Sequence, residues 1–327
     1  MEISCAFPPV PGTPAHIAAA ERLGYKRAWV YDTPALQLDV WMTLALAGAA
    51  TERIILGPGV LIPSLRHPMV TASAIATVVE LVGSDRVVVG VGTGFTGRRA
   101  MGQKPLRWAD LPLEIAKVRA LLGGDTVEVE GAKVAMLHWP GQAPSRPIDV
   151  PFVVGVNGPR GLQAARSMGC GIFTSRPRPG ATYETIPSVT LLGFGTVFEP
   201  GETVNSARVL AAAGPGVAVA YHAFLEQDDE RLSNLPNAAR FVELAGQIPG
   251  EARHLQLHEG HLTELNAIDR QVLTPESLRI ASILGTPAQV RDQVGALSNA
   301  GVTEVAYQPM GPNIERELEA FMAALSD

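Results

Sequence analysis

Short runs of β-branched and aromatic residues alternate with helix-period stretches along the whole of this 327-residue chain. The runs are Glu2–Phe7, Arg27–Tyr31, Arg53–Leu61, Arg86–Val91, Pro151–Val156, Cys170–Ser175, Ser188–Phe198 and Thr303–Pro309. They are too short and too rich in strand-forming residues for helices. RVVVGV and PFVVGV are apolar without alternation, as expected for strands covered on both faces. Helical spacing or capping marks Pro14–Gly24, a segment capped by Asp39, His67–Val82 with Pro68 in its first turn, Trp108–Leu122, a helix ending near Met168, Pro287–Asn299 and Asn313–Leu325. A parallel neighbour is reached only by a crossover, so strands separated by helices imply a parallel sheet. Eight β-then-α units predict a closed (β/α)8 TIM barrel of the α/β class with insertions. The competing architecture is an open doubly wound sheet, which usually has fewer strands.

Three stretches depart from that rhythm. Thr126–Glu130 and Ala132–Met136 read as a hairpin around Gly131. The Pro-rich segment Ser175–Gly180 reads as an insertion loop. From about residue 200 to 275 the pattern becomes irregular and mostly helical, an excursion from the barrel. Nothing marks a domain boundary, so the expectation is one barrel domain over 1–327.

Composition excludes several function classes. A formal charge of −6 and a pI near 5.7 argue against nucleic acid or an anionic membrane surface as partner. The two cysteines, Cys5 and Cys170, lie far apart in apolar runs, which predicts buried free thiols and a reducing, cytoplasmic setting. The N-terminus lacks the pattern of a signal peptide, and no run of about 18 apolar residues predicts a membrane span.

Chemistry in this fold gathers at the C-terminal ends of the strands. After the third run comes RIILGPGVLIPSLRHP, Arg53–Pro68, whose glycines fall where a strand must bend or approach a ligand closely. That end is read either as a wall of a flavin-like cofactor site or as an ordinary buried strand with a turn. GVGTGFTG, Gly90–Gly97, has the wrong spacing for a dinucleotide fingerprint. Asn157, Gly158, Pro159 and Arg160 open a helix with free backbone N–H groups and a positive charge, which suits a phosphate, or else form a plain β–α turn. His258 and His261 in HLQLHEGHL lack the i, i+4 spacing of a metalloprotease helix and have no third ligand nearby, so no metal is expected. They read as substrate-pocket histidines over the barrel mouth or as a polar surface segment. No nucleophile elbow and no Cys/His pair is evident.

Taken in order, five segments resemble the bacterial luciferase-like family, in particular its branch using the deazaflavin coenzyme F420. They are GYKRAWVYD (24–32), LGPGVLIPSLRHP (56–68), ELVGSDRVVVGVGTG (80–94), VVGVNGPRGLQAARSMGCGIFTS (153–175) and GTPAQVRDQVGALSNAGVTEVAYQP (285–309). The resemblance implies the same barrel, with the flavin at its mouth against a bulge that contains a non-prolyl cis peptide, here Gly59-Val60. It also places Asp32 near the ring as a polar contact or proton relay. Thr93 and Gly94 would line the ring's edge, and Asn157, Gly158, Pro159 and Arg160 would take the phosphate end. His258 and His261 are the candidate proton donors.

The sequence departs from the family's sugar-phosphate dehydrogenases, which carry a histidine and a glutamate where this chain has Thr33 and Phe95. Sugar-phosphate oxidation is therefore not expected. Phe95 and Trp41, with Leu36 and Phe198, suggest a more apolar substrate. The expected activity is an F420-dependent oxidoreductase transferring hydride to or from a small organic molecule, as a homodimer. The alternatives are an FMN-dependent monooxygenase of a two-component system and a non-catalytic flavin-binding relative.

Overall fold

Eight strands build the frame: β1 (Glu2–Phe7), β2 (Arg27–Val30), β3 (Ile55–Pro58), β4 (Val89–Val91), β5 (Phe152–Gly155), β6 (Gly171–Thr174), β7 (Val189–Val197) and β8 (Glu304–Gln308). The structure, a computed structural model, describes residues 1–176, 183 and 185–326. The strands run parallel in the order β3–β2–β1–β8–β7–β6–β5–β4. β3 and β4 close the ring through Val88 N–H to Leu56 O at 3.1 Å and Leu61 N–H to Gly90 O at 2.7 Å. The expected (β/α)8 barrel is the observed fold.

Alternation along each strand divides two cores. Ala6, Trp29, Tyr31, Val88, Val153, Phe173 and Ala306 point inward and pack together inside the barrel. Cys5, Phe7, Ala28, Val30, Val305 and Tyr307 point outward beneath the helices. Near the base of the barrel, Glu304 is buried yet saturated. Its oxygens accept from Trp29 Nε1 at 3.0 Å, Thr190 Oγ1 at 3.1 Å and Arg27.

The helices are α1 (Thr13–Arg22), α2 (Val40–Ala49), α3 (Pro68–Val82), α4 (Leu111–Gly123), α5 (Pro159–Ser167), α6 (Ala207–Glu226), α7 (Pro287–Asn299) and α8 (Ile314–Ser326). Their starts follow their sequences. Asp39 caps α2 by accepting from Trp41 N and Met42 N, and Thr286 with Gln289 forms a reciprocal capping box on α7. The hairpin pairs Val127–Val129 with Ala132–Val134 across Glu130 and Gly131, both at positive φ (52° and 81°). Such a two-residue turn matches the twist of its strands.

Three findings add to or correct the sequence reading, and one expected loop lies partly outside the described residues. β3 ends at Pro58 rather than Leu61, because Leu61 leaves the strand to pair with Val91 across the seam. Ile283–Gly285 forms a short further strand on Gly195–Val197, too brief to carry a periodic signal. The helix α6 is, by length and composition, apolar enough to cross a membrane, although no such run was expected. Two-thirds of that helix (67%) is buried inside the fold, against Phe241, Leu244 and Leu257 of the excursion. A buried core helix passes the same test. Finally, residues 177–180 of the expected Ser175–Gly180 insertion loop lie outside the described residues.

The seam gives a direct test. A Cβ on Gly57 would lie 2.0 Å from the Val88 carbonyl oxygen, whereas one on Gly246 meets nothing within 4 Å. Gly57→Ala is expected to cost about 3 kcal/mol in denaturant unfolding, and Gly246→Ala to leave stability unchanged or slightly higher. Equal midpoints for the two variants would refute the close approach of β3 and β4.

Candidate active site at the barrel mouth

The chain leaves β3 through Gly59-Val60, and that peptide bond is cis, as the resemblance implies. Trp29 occupies the space beside Gly59; a Cβ there would lie 2.8 Å from the Trp29 Cβ. The Val60 side chain turns into the barrel, where glycines make room for it. Added Cβ atoms would come within 3.2 Å of Val60 at Gly90, 2.6 Å at Gly92 and 3.1 Å at Gly155. The glycines of RVVVGVG and PFVVG thus hold the bulge from the facing strands.

Two carboxylates and one guanidinium fix the loop that follows. Asp32, 2% exposed at the end of β2, accepts from the Ile62 N–H at 2.9 Å and from Arg66 Nη1 at 2.8 and 2.9 Å. Arg66 Nη2 donates to Asp39 Oδ2 at 2.8 Å, which ties the loop to the cap of α2. Burial pushes the Asp32 carboxyl above the ordinary range, while Arg66 and the Ile62 N–H pull the other way. Burial lowers Arg66, but its two carboxylate partners prevail and hold it above its usual value. Asp32 was expected as a polar contact or proton relay. Both of its oxygens are engaged by Arg66 and the loop backbone, and these bonds hold the Ile62–Arg66 loop. Arg66 carried no signal in the sequence beyond its place in the SLRHP turn.

Thr93 and Gly94 lie at the end of β4. The Thr93 carbonyl accepts from Leu106 N–H at 2.8 Å, and Gly94 has a φ of +79° with Ile62 Cγ2 2.6 Å from where a Cβ would stand. Gly94 thus packs on the loop that Asp32 holds. At the end of β5, Asn157 Oδ1 accepts from Thr174 Oγ1, Ser175 N and Ser175 Oγ, each at 3.1 Å, joining β5 to β6. Gly158 caps α5 without any side-chain hydrogen bond, and among the described residues nothing lies within 4 Å of where its Cβ would be. Pro159 and Arg160 follow, both exposed. The arrangement leaves an open, donor-rich helix start, the geometry an anionic group requires.

Two buried polar atoms on inward faces at the mouth have no partner among the described residues: the Tyr31 hydroxyl and Gln308 Nε2. They sit two residues beyond the interior residues Trp29 and Ala306 on β2 and β8. Burial pushes the Tyr31 hydroxyl well above the ordinary phenol range. Both are donors, and a planar ring bearing carbonyl oxygens would satisfy them. The cis bulge, these two donors and the open start of α5 together fit a flavin-like group.

The excursion covers part of this end. Gln37 Nε2 donates to the His261 carbonyl at 3.0 Å, and Leu262 packs on the barrel-interior cluster. Pro9, Pro34, Leu36 and Thr263 help line a rim cavity of about 410 Å³ between the β1 and β2 loops and the excursion. A larger cavity of about 600 Å³ lies at the opposite end, around Pro151, Gly171 and Ser188, away from where barrels place chemistry.

His258 and His261 are not open donors: they are 1% and 6% exposed and meet His222 of α6, a third histidine that sequence spacing could not connect to them. Burial, with His258 and His222 adding to it, holds the His261 imidazole well below the ordinary range. Two expected pocket residues pack on the cores instead, Trp41 buried and Phe198 half-buried. Trp41 packs beneath the helices and Phe198 against the second core. Phe95 is half-buried under the Arg99 guanidinium, 4.7 Å from its ring centroid.

A closed parallel barrel with a glycine-backed bulge after β3 defines a class of cofactor-binding barrels. The chain belongs to the luciferase-like monooxygenase family, whose model matches residues 8–304. It is 28% identical to a 5,10-methylenetetrahydromethanopterin reductase of Archaeoglobus fulgidus, covering 93% of this chain and 91% of that one. It is 32% identical to an F420-dependent glucose-6-phosphate dehydrogenase of Beutenbergia cavernae over 49% of this chain and 51% of the other. Its fold matches the structure of a coenzyme F420 dependent tetrahydromethanopterin reductase from Methanopyrus kandleri, with a TM-score of 0.70 and 20% identity over 99% of each chain.

Removing Arg66 would leave Asp32 charged, buried and unpaired. Arg66→Met is expected to cost about 3–5 kcal/mol. Adding Asp32→Asn should recover part of that loss, because the two residues share one interaction. Additive losses in the double-mutant cycle would show that the pair does not act as a unit.

Proposed function

We propose that this chain is an F420-dependent oxidoreductase that moves a hydride between the deazaflavin and a small organic substrate at the barrel mouth. The observation that carries the reading is the pair of buried, unpartnered donors, Tyr31 and Gln308, on the inward face at the same end as the Gly59-Val60 bulge. Support comes from the luciferase-like family match and from relatives that are named F420-dependent. Bound F420 would supply a two-electron hydride carrier that does not react usefully with oxygen.

The chain's own part is to bind, orient and exclude water. The N–H groups at the start of α5 and the Arg160 guanidinium would receive the phosphate end. Val60 and Gly59 would back the ring, and Thr93 and Gly94 would line its edge. Tyr31 and Gln308 would donate to ring oxygens. Asp32 acts at one remove, holding the Ile62–Arg66 loop through Arg66. Burial keeps the Tyr31 hydroxyl protonated, as a donor to the ring must be. The rim cavity beside Leu36 and the prolines Pro9 and Pro34 favours an apolar substrate. We further infer a single-domain cytoplasmic enzyme that works as a homodimer on a small molecule.

Absorbance titrations with F420 and with FMN test the reading, followed by hydride transfer to a panel of carbonyl, imine and alkene acceptors. Micromolar F420 affinity is expected, with little binding of FMN. Tyr31→Phe and Gln308→Leu should each weaken F420 roughly tenfold, the value of about one hydrogen bond to a buried group, without lowering the melting temperature. Tight FMN binding without F420 binding would overturn the proposal, and F420 binding without transfer to any acceptor would favour a non-catalytic relative.

A further inference from the structure

Three imidazoles meet beneath the excursion. His222 comes from α6, and His258 and His261 from the turn after the short helix Arg253–Leu257. One ring nitrogen from each lies within 4.8 Å of the other two. The ring centroids are 5.3, 5.7 and 6.5 Å apart.

Two of the rings are oriented from behind by carboxylates. His222 Nε2 lies 2.8 Å from Asp269 Oδ1, and His258 Nε2 lies 2.9 Å from Glu226 Oε1. Asp269 is itself held, accepting from the Asn266 N–H at 3.2 Å and donating its own N–H to Asn266 Oδ1 at 2.9 Å. A carboxylate that accepts from Nε2–H leaves Nδ1 as the lone-pair nitrogen, which is the outer-shell arrangement of metal-binding histidines. The Nδ1 atoms of His222, His258 and His261 are all buried and all without a partner.

We propose that His222, His258 and His261 bind a divalent transition-metal ion of the zinc class, with Asp269 and Glu226 as outer-shell acceptors. Neutral imidazoles suit zinc among the common divalent ions, and three of them leave a fourth position for water. Zinc–nitrogen bonds of about 2.1 Å place the nitrogens roughly 3.4 Å apart in a tetrahedron, so the rings close inward on the ion. The ion would tie α6 to the segment whose His261 carbonyl is held by Gln37 and whose Leu262 packs into the barrel interior. The site therefore clamps the excursion over the mouth. A water that donates to two rings and accepts from the third is the competing occupant.

Chelator-treated full-length protein dialysed against Zn(II), with bound metal counted by elemental analysis, tests this without any cofactor. About one retained equivalent is expected, and a Co(II) titration should give visible ligand-field absorption of tetrahedral or five-coordinate type. His222→Gln and His258→Gln should abolish both signals. Asp269→Asn, which removes only the outer-shell charge, should weaken binding tenfold to a hundredfold. No retained zinc and no Co(II) band in the unmodified protein would overturn the site in favour of water, whatever the variants do. Unchanged binding in folded His222→Gln and His258→Gln would overturn it equally.

Discussion

The mouth of this barrel depends on where one side chain goes. Val60 leaves the strand at the bulge and enters space that exists only because residues 90, 92 and 155 have no Cβ. A Cβ would collide with Val60 at residue 92 and with the Pro58 carbonyl oxygen at residue 90, and would press on Val60 at residue 155, so β4 and β5 approach the bulge closely. The same approach lets Leu61 bond across to Gly90 and Gly92 and so closes the ring between β3 and β4. Barrel closure and the shape of the bulge are thus one packing event, and the Asp32–Arg66–Asp39 bridge secures its downstream side.

Buried polar groups inside the barrel meet two different fates. Glu304 near the base is surrounded by donors from Arg27, Trp29 and Thr190, as a buried carboxylate must be in a stable core. Tyr31 and Gln308 at the mouth are buried donors without acceptors. A bare donor is a cost unless something occupies the space it faces. A cluster of bare polar atoms, on His222, His258 and His261, lies where the excursion packs on α6.

The strand and helix alternation was legible because it is local: β-branched runs and helical spacing repeat every few residues and survive without knowledge of their neighbours. The missed strand Ile283–Gly285 has three residues, fewer than any period can show, and it forms because the exposed edge of β7 past Phe194 needs a partner. Gly59-Val60 was found by resemblance in the order of segments, and its backing by Gly90, Gly92 and Gly155 was not, since those contacts join residues up to 95 positions apart. Trp41 and Phe198 were read as pocket residues from their type and their place in the topology. Trp41 is buried in the outer core and Phe198 packs half-buried on the second core, so an aromatic near a strand end has two faces to choose from.

The sequence by itself determined the (β/α)8 class, the place of the glycine-rich strand ends and the two free cysteines, because each rests on short-range pattern or on residue chemistry. Tertiary structure decided the roles. It bound Asp32 to Arg66, left Tyr31 and Gln308 bare, and brought His222 from α6 to His258 and His261. These are meetings of side chains distant along the chain. They are set by which faces the closing barrel turns inward, and no local pattern records that.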